Sequence, residues 1–202
     1  MGNWELGMKK KLVVLVSGNG SNLQAVIDGI KMSSIDYTIE AVVSNKKDAF
    51  ALTRAEREGI KTLYLPFKKG SSRNEYDALL AEKVSGFKPD YVLLLGWMRI
   101  LTDSFIASFK DRLINLHPAL PGTFPGTEAI ERQYEAFMKG EISRCGIMTH
   151  FVPDEGVDSG PVIFTEEVPI FENEGLEDFE KRVHEAEHAL VIKTLQNLPE
   201  IR

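Results

Sequence analysis

Short valine-rich apolar runs alternate with amphipathic stretches along the first half of the chain. Residues 11–17 (KLVVLVS) stop at a glycine, the pattern of a strand buried on both faces of a parallel sheet. Residues 22–31 (NLQAVIDGIK) place Leu23, Val26, Ile27 and Ile30 on one face of a helix. The pair then repeats. Residues 37–43 (YTIEAVV) predict a strand, followed by a helix that Asp48 caps and that runs to residue 58. A short strand at 62–65 precedes a helix over 72–85, with Ser72 and Glu75 spaced as a capping box. Residues 91–95 (YVLLL) predict a buried strand, 102–109 a short helix and 112–116 (RLINL) a fifth strand. Strands alternating with helices imply right-handed crossovers, an α/β class and a mostly parallel central sheet with helices on both faces.

The second part is less regular. Residues 118–126 (PALPGTFPG) carry three prolines and two glycines and read as a loop. A helix is expected over 127–140, then strands at 145–152 (CGIMTHFV) and 161–168 (PVIFTEEV) joined by an acidic loop at 154–160. Residues 176–198 predict a long amphipathic helix ending before Pro199.

The chain has 202 residues, enough for one domain, with residues 1–10 as a polar N-terminal extension before a domain of 11–202. Translation starting at Met8 is an equal reading of that extension. The composition, 43% hydrophobic and 27% charged, is that of a globular protein. The net charge of -6 gives no whole-surface attraction for polyanions. No basic cluster is denser than Lys9 to Lys11, so a nucleic-acid partner is not expected. A single cysteine, Cys145, allows no internal disulfide, reads as a small buried hydrophobe and suits a reducing cytoplasm. No apolar run reaches the roughly 18 residues of a transmembrane helix, so no membrane partner is expected.

Candidate chemistry lies at five places. Gly18-Asn19-Gly20-Ser21-Asn22 sits between the first strand and the first helix, where glycine lets backbone approach a ligand and a helix start offers free N–H groups. The third glycine of a dinucleotide fingerprint would fall at Leu23, and no Gly-Lys-Ser/Thr follows, so a monophosphate fits better than a dinucleotide or a triphosphate. An ordinary α/β turn explains the glycines equally well. Asn115 and His117 are two apart at a strand end, on one face, and a carboxamide beside an imidazole can stabilise an oxyanion and move a proton. A structural histidine accounts for the same residues. Asp158, in Glu155-Gly156-Val157-Asp158-Ser159-Gly160, could reach His117 or simply serve a turn. His184-Glu185-Ala186-Glu187-His188 matches the zinc motif H-E-x-x-H, but a third ligand is needed, and His150 and Glu200 have no convincing spacing for it. Trp97 and the residues after it could line a pocket for a flat ring or pack a helix start.

Seven pieces in order, SGNGSNLQA at 17–25, SNK at 44–46, GWMRIL at 96–101, INLHPAL at 114–120, HFV at 150–152, EGVDSGPVI at 155–163 and RVHEAEHA at 182–189, resemble the phosphoribosylglycinamide formyltransferase family of folate-dependent enzymes. The resemblance implies a single Rossmann-like formyltransferase domain whose irregular C-terminal part ends in a long helix. It implies transfer of the formyl group of 10-formyltetrahydrofolate, as co-substrate, to the amine of glycinamide ribonucleotide, without a metal. Carried over by position, Asn115, His117 and Asp158 are catalytic. Gly20, Ser21, Asn22 and Glu187 bind the ribonucleotide, which makes the H-E-x-x-H match a coincidence. Arg73, Met98, Arg99, Ile100, Leu101, Asp154, Glu155, Gly156 and Val157 surround the folate. The partners implied are small molecules, and the enzyme would be a monomer or homodimer.

Two departures alter the pocket walls rather than the chemistry. The family's H-P-S-L-L-P is His117-Pro118-Ala119-Leu120-Pro121 here, and the acidic loop is one residue longer, with Pro153 before Asp154. Among relatives of this chemistry, a methionyl-tRNA formyltransferase calls for a further C-terminal domain and a basic face. A formyltetrahydrofolate hydrolase calls for an added N-terminal domain. A non-catalytic nucleotide-binding module would not need Asn115, His117 and Asp158 together.

Overall fold

The computed structural model describes residues 9–171 and 173–199, so residues 1–8 of the expected extension and Glu200 lie outside the described residues. The elements run β1 (Lys10–Val16), α1 (Ser21–Lys31), β2 (Tyr37–Ser44), α2 (Phe50–Arg57), β3 (Thr62–Tyr64), α3 (Arg73–Ser85), β4 (Tyr91–Leu94), α4 (Asp103–Ile106) with a 3-10 turn at Ala107–Phe109, β5 (Leu113–His117), α5 (Ala129–Met138), β6 (Gly146–Phe151), β7 (Val162–Glu167) and α6 (Leu176–Asn197). One seven-stranded sheet has the order β3-β2-β1-β4-β5-β6-β7. β1 to β5 are parallel, and β6 and β7 join antiparallel to them. The strand order reverses between β1 and β4, the switch point at which open α/β sheets place their ligands.

The alternation along β1 explains the two cores. Leu12, Val14 and Val16 face α1, α2, α5 and α6, whereas Val13 and Leu15 face α3 and α4. A bulge between Leu12 and Val13 shifts the pairing so that Ile39 and then Ala41 are opposed, which places Glu40 outside the ladder. The second core contains no residue of β6 or β7. On that face α3 and α4 cover β1 and β4, and helical cover ends at β5.

Local signals hold with corrections at three helix starts. Asp48 does not cap α2, whose N-cap residue is Ala49; the carbonyl of Gly18 accepts from Ala51 N at 3.2 Å and does that work instead. The capping box at α3 is half made: Ser72 Oγ accepts from Glu75 N at 3.5 Å, at the limit of a hydrogen bond. Glu128, in the left-handed region at φ 56°, delays α5 to Ala129. Cys145 is buried, its thiol pushed up to about 11 by burial. Among the described residues no helix is long and apolar enough to cross a membrane.

Candidate active site

β5 carries Asn115 and His117 on the α3/α4 face, because Ile114 and Leu116 point into the opposite core. The antiparallel β6 sets His150 directly across from Asn115 and Met148 across from His117. The loop between β6 and β7 turns back over this face and delivers Asp158, itself left-handed at φ 51°. Gly160 is required there, since a Cβ would overlap the Phe151 carbonyl.

These groups form one network. Asn115 Nδ2 donates to Asp158 Oδ1 at 2.8 Å and lies 3.1 Å from His150 Nε2. Asp158 Oδ2 accepts from Gly126 N at 2.8 Å and stands 3.3 Å from His117 Nδ1. His117 Nε2 is 3.1 Å from the Phe124 carbonyl. Burial pushes the Asp158 carboxyl up, but the His150 ring, the Gly126 N–H and the His117 charge outweigh it and hold the group below the ordinary carboxylate value. Burial lowers His117 below a free imidazole, with Asp158 and the Phe124 carbonyl opposing it. Asp158 therefore stays ionised beside an imidazole that resists charging. Both nitrogens of His117 face acceptors, and a neutral ring can donate to only one. The geometry suits the imidazolium while burial disfavours it, as proton transfer requires.

At the switch point, Ser17 N donates to Gly96 O at 2.9 Å and Met98 N donates to Ser17 Oγ at 2.9 Å, tying the glycine turn to the segment after β4. Gly20 adopts φ 77°, and a Cβ on it would lie 2.6 Å from Ala51 Cβ. The N-terminus of α1 has no side-chain cap, so the N–H groups near Ser21 are open to an anion. Asn22 Nδ2 donates to the buried Glu187 at 3.2 Å, while Asn22 Oδ1 is buried without a partner. Arg54 braces the turn, donating to Asn19 O at 3.0 Å and Asn19 Oδ1 at 2.9 Å.

The residues expected around the folate divide. Arg73 donates to Ile100 O at 3.2 Å, and Glu155, 4.0 Å from Arg73, accepts from Asp103 N at 3.1 Å. Asp154 accepts from Gly156 N at 2.8 Å and fixes the loop tip. Met98, Ile100 and Val157 are exposed. Arg99 instead stacks 3.7 Å from the centre of the Phe67 ring, and Leu101 and Trp97 are core side chains, so only the backbone of Arg99 and Leu101 remains for a ligand. A cavity of about 340 Å³ opens between the 121–125 loop and the 157–162 segment, with Asp158 and Met148 in its wall.

Spacing alone missed Arg54 and Arg132, and offered His150 only as a metal ligand rather than as the neighbour of Asn115. Arg132 donates to Phe124 O at 2.9 Å and Pro125 O at 2.6 Å. Of the H-E-x-x-H residues, His184 Nδ1 lies 2.8 Å from Glu187 Oε2, whereas His188 Nε2 is buried without a partner. Among the described residues no three His, Cys, Asp or Glu side chains converge as a metal site.

A carboxamide, an imidazole and a carboxylate joined on a sheet face can polarise a carbonyl and move a proton, and an uncapped helix start can take an anion. The family model described as formyl transferase matches residues 10–195, and the chain belongs to that family. Within it, the chain is similar to the phosphoribosylglycinamide formyltransferase of Dictyostelium discoideum, 39% identical over 95% of this chain and 98% of that protein. It is 43% identical to the Escherichia coli protein of that name, over 89% of this chain and 82% of the relative. The solved structure of glycinamide ribonucleotide transformylase 1 from Symbiobacterium toebii superposes with a TM-score of 0.87 at 34% identity, covering 96% of this chain and 90% of the other. The resemblance carried by the seven sequence pieces is borne out.

Proposed function

We propose that this chain transfers the formyl group of 10-formyltetrahydrofolate to the amine of N1-(5-phosphoribosyl)glycinamide, giving the N-formyl product and tetrahydrofolate, in purine synthesis. The observation that carries this reading is the linked Asn115–Asp158–His117 network beside the uncapped start of α1. The amine nitrogen attacks the formyl carbon, and the carbonyl electron pair moves to oxygen. Asn115 Nδ2 donates to that oxyanion through the N–H now directed at His150, and His117, having taken the proton the amine gives up, stands beside it as the imidazolium. One such donor is worth about 3 kcal/mol. Collapse re-forms the carbonyl and breaks the bond to the folate nitrogen, which leaves with the proton given up by the amine. His117 carries that proton, and Asp158 supports the charge meanwhile.

Gly20, Ser21 and Asn22 take the phosphate at the start of α1, and Glu187 takes ribose hydroxyls. Arg73, Met98, Ile100, the backbone of Arg99 and Leu101, and Asp154, Glu155, Gly156 and Val157 wall the folate. The side chains named supply every proton and charge this chemistry needs, without a metal. The reading fits a cytoplasmic enzyme acting on small molecules as a monomer or homodimer. The test is turnover of 10-formyltetrahydrofolate by purified protein with and without the ribonucleotide amine. Turnover that needs the amine supports the proposal; equal turnover without it would make the chain a hydrolase.

A further inference from the structure

One charged side chain outside those roles binds the backbone that touches the catalytic groups. Arg132, on α5, donates through Nη2 to the carbonyls of Phe124 and Pro125 and through Nε to Glu128 O at 3.3 Å. It forms no ion pair with any described carboxylate within 4.0 Å. The loop it holds provides the main-chain contacts of His117 and Asp158, Phe124 O to the first and Gly126 N–H to the second.

Upstream the loop is tied by Thr123, whose N and Oγ1 both donate to Leu120 O, but among the described residues no such tie spans residues 124–126. Phe124 at φ 44° and Glu128 at φ 56° are left-handed, a conformation residues with a Cβ rarely adopt. Pro125 lies between them and has no N–H with which to anchor the turn. Nη2 reaches both carbonyls while Nε, fixed in the same plane, holds Glu128 O, a pair of donors that a lysine ammonium does not supply from a single point.

We propose that Arg132 is a positioning residue for the reaction: through the backbone of residues 124–126 it sets the orientation of both the His117 ring and the Asp158 carboxylate. The proposal rests on the roles given to those two residues above. It differs from a tie between α5 and the loop that matters only for stability, because it requires the catalytic groups to respond.

The experiment compares wild type, Arg132→Ala and Arg132→Lys by steady-state kinetics, by rescue with guanidinium ion, and by ¹⁵N resonances of the His117 ring without substrates. Displacing a catalytic group by about an ångström lowers rates on the order of a hundredfold, so R132A is expected to lose about 10- to 100-fold in kcat with both KM values within about threefold. Guanidinium ion restores part of the rate to R132A and none to wild type, R132K retains an intermediate rate, and the His117 ring changes its tautomer balance in R132A. A kcat within about twofold of wild type, accompanied only by a lower melting temperature, overturns the proposal. So does a kcat loss with unchanged His117 resonances and no rescue. If R132A does not fold, R132K is read by kcat and the His117 resonances, and a kcat within about twofold of wild type with unchanged resonances overturns the proposal. Should wild type transfer no formyl group, the functional reading fails, and the substrate-free resonances still decide whether Arg132 governs His117.

Discussion

Replacing Asp158 with Asn preserves shape and removes charge from the centre of the network. Oδ1 accepts from Asn115 at 2.8 Å and Oδ2 from Gly126 N at 2.8 Å, on a side chain only 10% exposed. An amide has a single acceptor oxygen, so in either orientation its NH2 group faces one of these donors. The NH2 group can turn towards Gly126 N, which is exposed and can bond water, so D158N should lose no more than about 1 kcal/mol of stability in urea titration. Activity should fall further. The carboxylate is the foremost group opposing the effect of burial on His117, so its loss makes the imidazolium harder still to form. The effect should match the removal of an oxyanion-hole donor, about a hundred- to a thousandfold in kcat. The assay is tetrahydrofolate formation at saturating ribonucleotide, and a kcat within about tenfold of wild type would refute the reasoning. Acid provides an independent check. The native pKa of Asp158 is depressed, so its stabilisation is complete above the ordinary carboxylate value and lost as pH falls through the native one. D158N lacks that term, and the stability gap from wild type should narrow in acid; a constant gap would contradict the assignment.

Three further substitutions test separate parts of the site. Glu187→Gln weakens the acceptor that meets Asn22 and His184, and should raise the ribonucleotide KM about tenfold, or about 1.4 kcal/mol, with the folate KM unchanged; equal rises in both would remove Glu187 from ribose recognition. Arg99→Ala removes the stack on Phe67 and should cost about 1 kcal/mol of stability with little change in folate KM, whereas a large KM change at full stability would assign the side chain to the folate. His117 is depressed below 6.5 in the native state, so the unfolded chain takes up its proton first and stability declines as pH falls below that value. His117→Gln should make this decline shallower, though His188, also lowered, keeps part of it; an unchanged slope in chemical denaturation across this range would show that His117 is not depressed.

Much of this architecture is legible in residue patterns, because apolar runs and helical spacing are local properties. β1 to β5 and α6 follow from them within a residue or two. What escapes depends on strand pairing. His150 becomes a neighbour of Asn115 only once β6 is known to run antiparallel to β5. Arg132 has no local mark, since its acceptors are backbone carbonyls in the preceding loop. Asp48 misleads for the same reason: its spacing suits a cap, but a distant carbonyl at Gly18 had already met the need. Arg99 lies in a matched motif, yet its side chain turns to Phe67, because a motif fixes identity and not direction.

The site nevertheless left one physical trace in the sequence. A strand buried under helices on both faces reads as continuously apolar, as KKLVVLV and YVLL do after the first two lysines. β5 instead reads LINLH, polar at alternate positions, and β6 places His150 at the same level on the same face. Alternation in the middle of such a sheet marks where one face loses its helix. Here α3 and α4 stop short of β6, and the loops at 118–126 and 153–160 close over Asn115, His117 and His150. Loops can exclude water around a buried imidazole as a helix would, while allowing a substrate to enter and leave, which a packed helix does not. The break in hydrophobic pattern thus marks more than a site on the sheet; it marks the part of the fold covered by loops with a cavity between them, and Arg132 sits at the root of that cover.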